Sequence, residues 1–261
     1  MTAGRPARRI LVTNDDGINA PGIALLEAIA RRLSPDVTVV APADEQSGKG
    51  RSLTLTQPIR LRTIDAHHHE VTGTPTDAVI MALAVIMKDA PPDLILSGIN
   101  RGANLGEDVL YSGTVAAAME GALANIPSIA LSQLYDREAM GADVPFDAAE
   151  AWAERVLAPL IETDLAPRTL VNINFPPIAA DAIAGVRVVA QGLRDYGRPK
   201  LDVRTDPRGF PYYWLGLGKV PHTGAADTDL EAIEQGFITV TPLHLDLTHA
   251  PSRGSLEQLY R

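Results

Sequence analysis

Short apolar runs alternate with stretches of helical periodicity through the first half of the chain. Ile10 to Thr13 is a β-like run that stops abruptly at Asn14-Asp15-Asp16-Gly17. From Gly22 to Leu33 the residues Ile23, Leu26, Ile29, Ala30 and Leu33 recur at three- and four-residue spacing. That spacing predicts one buried helix face. Pro21 and Gly22 open the segment and Pro35 closes it. Val37 to Pro42 predicts the next strand, and Ser52 to Arg62 alternates like a strand pair at a sheet edge. Thr76 to Met87 is helical, with Ala78, Val79, Ala82, Leu83 and Ile86 apolar. Asp93 to Ser97 is a nearly all-apolar strand, Ser112 to Ala124 an alanine-rich helix, and Ile126 to Leu131 a further strand. Strands with so few polar positions are covered on both faces. The β-α-β alternation therefore predicts a mainly parallel sheet between helical layers.

The second half is less regular. Asp147 to Ile161 predicts a helix, and Leu170 to Phe175 and Val186 to Ala190 predict strands. Residues 192–228 are rich in Gly, Pro, Arg, Tyr and Asp, with only short β-like pieces such as Tyr212 to Leu215. So long an irregular segment points to an active-site cover or an arm reaching a neighbouring subunit. Thr228 to Gln235 is helical, Phe237 to Thr241 is a strand, and Ser255 to Arg261 is a short tail helix.

In a parallel α/β sheet, ligands sit at the carboxyl ends of the strands. Three successive strand ends carry oxygen donors here. Asn14, Asp15 and Asp16 follow the first strand, and Asp44, Glu45, Gln46 and Ser47 follow the second. Asn100 and Asn104 follow Leu94 to Leu96. Adjacent carboxylates raise each other's pKa unless something positive lies between them. Hard oxygen donors suit Mg²⁺ or Mn²⁺. A divalent cation between Asp15 and Asp16 accounts for the pair. The pair alone also fits a turn that caps a helix, since Asp and Gly favour such positions. Tyr111-Ser112-Gly113-Thr114 opens the alanine-rich helix. A helix N-terminus of that kind binds phosphate, and plain capping by Ser112 is the alternative. Thr74 and Asp77 open another helix in the same way, with Asp77 suited to the dipole.

Other candidates weigh less. His67-His68-His69 reads as a solvated turn rather than a ligand set. Asp227-Thr228-Asp229 reads as capping, and Arg194, Tyr196 and Arg198 meet either an anionic substrate or solvent.

Composition narrows the classes. The chain has 261 residues, 46% of them hydrophobic, and a formal charge of −9. An acidic chain is poorly suited to gripping a nucleic-acid polymer through a basic face. With no cysteine, thiol nucleophiles and thiolate zinc sites are excluded. No apolar run is long enough for a membrane span, and no long apolar stretch follows the basic residues before Ile10. The expectation is a cytoplasmic protein without a leader or a membrane partner. The G-x-G-x-x-G, G-x-x-x-x-G-K-[ST] and G-x-S-x-G patterns are missing, which argues against standard dinucleotide, P-loop and serine-hydrolase sites.

Five motifs occur in one order: Thr13-Asn14-Asp15-Asp16-Gly17; Ala41-Pro42 with Ser47-Gly48; Thr72-Gly73-Thr74-Pro75; Ser97-Gly98-Ile99-Asn100 to Gly106; and Tyr111-Ser112-Gly113-Thr114. Together they resemble the SurE family, the stationary-phase survival proteins that are 5′/3′-nucleotidases. The second half resembles it more loosely, through Val171 to Asn174 and Tyr212 to Trp214. The resemblance implies a metal-dependent phosphomonoesterase that hydrolyses nucleoside 5′- and 3′-monophosphates. By motif, Asp15, Asp16, Ser47 and Asn100 match the family's ligands for one Mg²⁺ or Mn²⁺ per subunit. Asn104, Ser112, Gly113 and Thr114 match positions near the phosphate, and Asp15, Asp16 and Asn104 are the catalytic candidates. The implied fold is a single α/β domain, a three-layer α/β/α sandwich with a mixed, mainly parallel, Rossmann-like sheet. Residues 1–135 would form the catalytic core. Residues 136–261 would form the C-terminal strands, an oligomerisation arm near 192–228 and a swapped tail, giving homodimers or homotetramers. The rival class is a non-catalytic, metal-dependent phospho-receiver or nucleotide-binding regulator. A receiver needs a phospho-accepting Asp at the end of its third strand, and Ser52 to Arg62 contains none.

Overall fold

The computed structural model describes residues 8–135, 145–194, 200–216 and 224–261. The first strand, β1 (Ile10–Thr13), is buried throughout and alternates strictly. Ile10 and Val12 join one apolar cluster, while Leu11 joins the cluster on the opposite face. Such two-sided burial is what a central parallel strand requires. Along it run β2 (Val37–Pro42) on one side and β5 (Leu94–Arg101) on the other, both parallel. β3 (Leu61–Thr63) and β4 (His68–Val71) lie outside β2. β6 (Ser128–Gln133), β7 (Thr169–Phe175), β8 (Gly185–Val188) and β11 (Phe237–His244) complete nine strands in the order β3-β4-β2-β1-β5-β6-β7-β11-β8. Only β3–β4 and β7–β11 pair antiparallel, so the sheet is mixed but mainly parallel.

Two helical layers cover it. On one face α1 (Pro21–Leu33) and α4 (Asp147–Ile161) bury Leu26, Ile29, Ala153 and Leu157. On the other, α2 (Pro75–Met81) and α3 (Gly113–Leu123) bury Val79 and Ala117 against Leu11 and Ile95. α3 follows a 3₁₀ turn, Gly106–Leu110. A short helix, α5 (Asp229–Glu234), packs Leu230 and Ile233 on Leu105. Between β1 and β5 the chain order reverses: it runs outward from β1 through β2 to β4, then returns to β5. That crevice is where doubly wound sheets bind ligands.

Several expectations need correction. Ser52 to Arg60 forms no strand, and only Leu61–Thr63 pairs with β4. The strand expected over Asp93 to Ser97 continues to Arg101, with a register shift between Ser97 and Asn100, so Asn100 stands on the strand itself. The helix from Pro75 changes to a π turn over Ala82–Ile86. The histidine tract is strand as well as turn: His68 and His69 belong to β4. In the irregular segment, β9 (Lys200–Thr205) and β10 (Pro211–Gly216) form an antiparallel hairpin. The tail helix, α6 (Ala250–Glu257), starts earlier than expected and ends in a 3₁₀ turn through Tyr260. Tyr196 and Arg198 lie outside the described residues.

Candidate active site at the switch point

Asp15 is a buried charged group at the crevice, with 4% of its surface exposed. Its place is fixed from both sides. The Gln46 N–H donates to its backbone carbonyl at 2.8 Å, and the Thr114 hydroxyl donates to its carboxylate. Thr114 is fully buried in the first turn of α3, where Ser112 caps the helix by accepting from the Val115 N–H at 3.0 Å. Gly113 makes the approach possible. A Cβ at that position would stand 2.7 Å from the Asp15 Cβ and 2.8 Å from its Oδ2. The capping expected of Ser112 is therefore present, and the same turn meets Asp15.

Burial pushes the Asp15 carboxyl up to about 6; the Thr114 hydrogen bond opposes this and the neighbouring Asp16 charge adds to it. Asp16 is raised as well, again chiefly by burial. The Arg101 N–H, which donates to its Oδ2 at 3.1 Å, and the Arg101 guanidinium work against that shift, while Glu45 reinforces it. The cation Arg101 thus serves Asp16, and its guanidinium also meets Glu45 at 3.7 Å.

Ser47 and Asn100 reach the same place along the backbone. Ser47 follows Gln46, whose N–H holds Asp15, and its hydroxyl donates to Glu45 Oε1 at 2.9 Å. Asn100 precedes Arg101, whose N–H holds Asp16, and its amide nitrogen donates to the Gly102 carbonyl at 3.0 Å. Glu45, one of the oxygen donors that follow β2 but part of no motif, accepts from Ser47 and reinforces the upward shift of Asp16. The irregularity in β5 between Ser97 and Asn100 contains a cis Gly98–Ile99 peptide, and Gly98 has a φ of 137°.

Among the described residues no three His, Cys, Asp or Glu side chains form a group that could hold a metal ion. The candidate set is of another kind: two carboxylates, a hydroxyl and an amide. It fits a hard cation on two observations. Asp15 is buried and Asp16 half-buried, and their charge is incompletely offset. Nearby, Thr13 Oγ1, Asn14 Oδ1 and Ser97 Oγ are buried oxygens without a hydrogen-bond partner. Buried polar oxygens normally find one.

Asn104 is held in an amide network. Its Nδ2 donates to Ser132 Oγ at 2.8 Å, and its N–H donates to Asn174 Oδ1 at 2.9 Å. Its carbonyl accepts from Asn172 and Asn174 at 2.7 and 3.1 Å. An amide nitrogen carries two hydrogens, so Asn104 keeps one donor beyond Ser132. Asn172 and Asn174, on β7, gave a motif resemblance but no role from sequence alone; here they set the backbone of Asn104. Asp229 does similar work nearby, accepting from the N–H groups of Gly106 and Gly192 at 2.9 and 2.7 Å. That goes beyond the capping expected of Asp227 to Asp229, where Thr228 is the N-cap. Arg194 is committed to Asp108, at 2.8 Å, and Glu107, at 3.5 Å, rather than to an open anion site.

The model of the family described as survival protein SurE matches residues 10–198. A protein of Rhizorhabdus wittichii named 5′-nucleotidase SurE is 62% identical over 97% of this chain and 100% of its own length. A protein of Erythrobacter litoralis with the same name is 57% identical, over 92% of this chain and 94% of its own. The crystal structure of the SurE protein from Aquifex aeolicus superposes with a TM-score of 0.82 at 37% identity, covering 97% of this chain and 100% of that one. The family match over residues 10–198 and the similarity to these relatives over nearly the full chain agree with the motif order, and the chain belongs to the SurE family.

Proposed function

We propose that this protein is a nucleotidase: a metal-dependent phosphomonoesterase that converts nucleoside 5′-monophosphates, and 3′-monophosphates, to nucleoside and inorganic phosphate. The names of its near full-length relatives support the 5′-nucleotidase activity. The observation that carries the chemistry is buried Asp15, set against the first turn of α3 beside half-buried Asp16, with their charge incompletely compensated.

Asp15, Asp16, Ser47 and Asn100 would hold one Mg²⁺ or Mn²⁺. Such an ion, when bound, neutralises phosphoryl charge and lowers the pKa of a coordinated water. The protein's own part is positioning. The N–H groups of Gly113 and Thr114 lie in the first turn of α3, where no intrahelical acceptor is available to them. The Thr114 N–H serves the Asp15 carboxylate, which leaves the Gly113 N–H, together with the spare Asn104 donor, to meet phosphate oxygens. One carboxylate of the pair orients the attacking water.

The C-terminal region supports self-association. Leu247, Leu256, Leu259 and Tyr260 are exposed around α6, as are Tyr213 and Trp214 on β10. Apolar surface of this kind marks interaction sites. A second copy would cover it by exchanging arm and tail, giving a dimer or tetramer. No helix among the described residues is long and apolar enough to cross a membrane. A cytoplasmic location completes the proposal.

The test is phosphate release from a panel of nucleoside monophosphates with Mg²⁺, Mn²⁺ and EDTA. Release that depends on the cation is the expected result. Activity that survives EDTA would remove the metal from the proposal, and no release from any nucleotide would remove the nucleotidase.

A further inference from the structure

A cavity of about 410 Å³ opens at the carboxyl ends of β2 and β4, next to the acidic pair. One wall is Gln46 and Lys49, which flank Ser47; the other is the strap over residues 52–57, the segment that sequence periodicity misassigned to strands. The strap is pinned at three points. Thr74 Oγ1 donates to the Ser52 carbonyl at 2.7 Å. The Thr54 N–H and hydroxyl donate to the Asp77 carboxylate at 3.1 and 2.6 Å. Asp77, expected only to cap α2, both caps it and anchors this wall.

The cavity adjoins the phosphate turn. Gln46 donates its N–H to Asp15, and Pro75, next to Thr74 in the cavity wall, lies 3.0 Å from where a Gly113 Cβ would stand. Its side-chain chemistry is uncommitted. Lys49, Thr56 and Gln57 are exposed and make no side-chain hydrogen bond among the described residues, and Leu53 is 48% exposed. Gln46 has only a long contact, 3.4 Å, to the Asp44 carbonyl.

We infer that this cavity is the nucleoside subsite, an assignment that rests on the nucleotidase proposal and extends it. The volume falls in the range of small-ligand pockets. The two glutamine amides each offer a donor and an acceptor, which is what the edge of a nucleobase presents. Leu53 supplies an apolar face. None of the described lining residues is aromatic, so recognition runs through edge hydrogen bonds rather than ring stacking. A lost hydrogen bond of this kind costs about a three- to tenfold factor in affinity.

Gln57→Ala and Leu53→Ala test it, assayed with nucleoside monophosphates and with p-nitrophenyl phosphate, which has no nucleoside. Both variants are expected to raise KM for the nucleotides about three- to tenfold. The kcat, the p-nitrophenyl phosphate kinetics and the thermal midpoint should stay at wild-type values. Unchanged nucleotide KM in both variants overturns the subsite while leaving the nucleotidase standing. Equal losses on both substrates also overturn it, because the wall would then support the phosphate site instead. A wild-type protein that hydrolyses p-nitrophenyl phosphate but no nucleotide overturns both proposals.

Discussion

The Thr114 hydroxyl donates to the Asp15 carboxylate, joining the first turn of α3 to the end of β1 across 99 residues. Asp15 is buried, so this donor offsets part of its desolvation. Thr114→Val keeps the shape and removes the donor. The expected loss is about 1.5–3 kcal/mol of stability at neutral pH, the range for a hydrogen bond to a charged group. Divalent-cation affinity should fall roughly tenfold, as when a group orienting a ligand is removed. Denaturant titration and isothermal calorimetry measure the two. Thr114→Ser should restore both, and wild-type behaviour of the valine variant would refute the role.

Gly113→Ala sets two effects against each other. Alanine gains up to about 1 kcal/mol of helix propensity over glycine. The added methyl would stand 2.7 Å from the Asp15 Cβ and 3.0 Å from the Pro75 Cγ, neither of which is the end of a long flexible chain. Overpacking of this kind costs about 1–3 kcal/mol and should win. The variant is expected to unfold at lower denaturant and to lose most of its phosphatase activity. A more stable, fully active Gly113→Ala would show that the close approach is not required.

Asp16→Asn addresses the cation directly. The substitution keeps an oxygen in place and removes a charge. Activity with Mg²⁺ or Mn²⁺ should fall by about 100-fold or more, and calorimetry should show weakened binding of either ion. Full activity would sink the metal-site assignment.

His68 makes a pH-dependent tie between layers. Its Nε2 meets Glu27 of α1 at 3.0 Å and its Nδ1 meets Asp65 at 2.9 Å. Burial alone would lower the His68 pKa, but the hydrogen bonds and charges of Glu27 and Asp65 outweigh it, and the net shift is upward. A raised histidine contributes stability below its ordinary value of 6.5 and loses it as pH climbs through the folded value. Both carboxylates shift down. Asp65, held chiefly by the His67 N–H and the His68 ring, goes to about 2; Glu27 is lowered by His68 and Arg31 against its burial. Their share is present above 3.8 and 4.5 and is lost on acidification. Thermal melts of wild type and His68→Gln should therefore differ most between about pH 5 and 6.5 and converge toward pH 9. A gap that is constant with pH would contradict the ion-pair account.

The sequence made the central strands and their helices legible because period-two and period-3.6 burial leave different marks. Ile10, Leu11 and Val12 are all apolar since both faces are covered, and α4 runs over the span its periodicity predicts. The acidic pair was legible as polar residues stopping an apolar run, and Ser112 and Thr114 as the opening of the alanine-rich helix. The strap from Ser52 was not. Its alternation reflects Leu53 in a cavity wall and Thr54 bonded to Asp77, which mimics a strand without a pairing partner. His68 was misjudged because its partner Glu27 lies 41 residues away. Asn172, Asn174 and Asp229 act on backbone groups of the loop at 104–106, and no local pattern announces a long-range contact of that sort.

The strap also separates two demands that a binding wall usually has to meet with the same residues. Thr54 and Thr74 carry its attachment, inward to Asp77 and across to Ser52, while Leu53, Thr56 and Gln57 carry no internal bond among the described residues. Substrate choice can then be rewritten at those three positions with the scaffold left alone. A library randomised there should return folded proteins throughout, differing in which nucleoside they prefer and not in whether they melt.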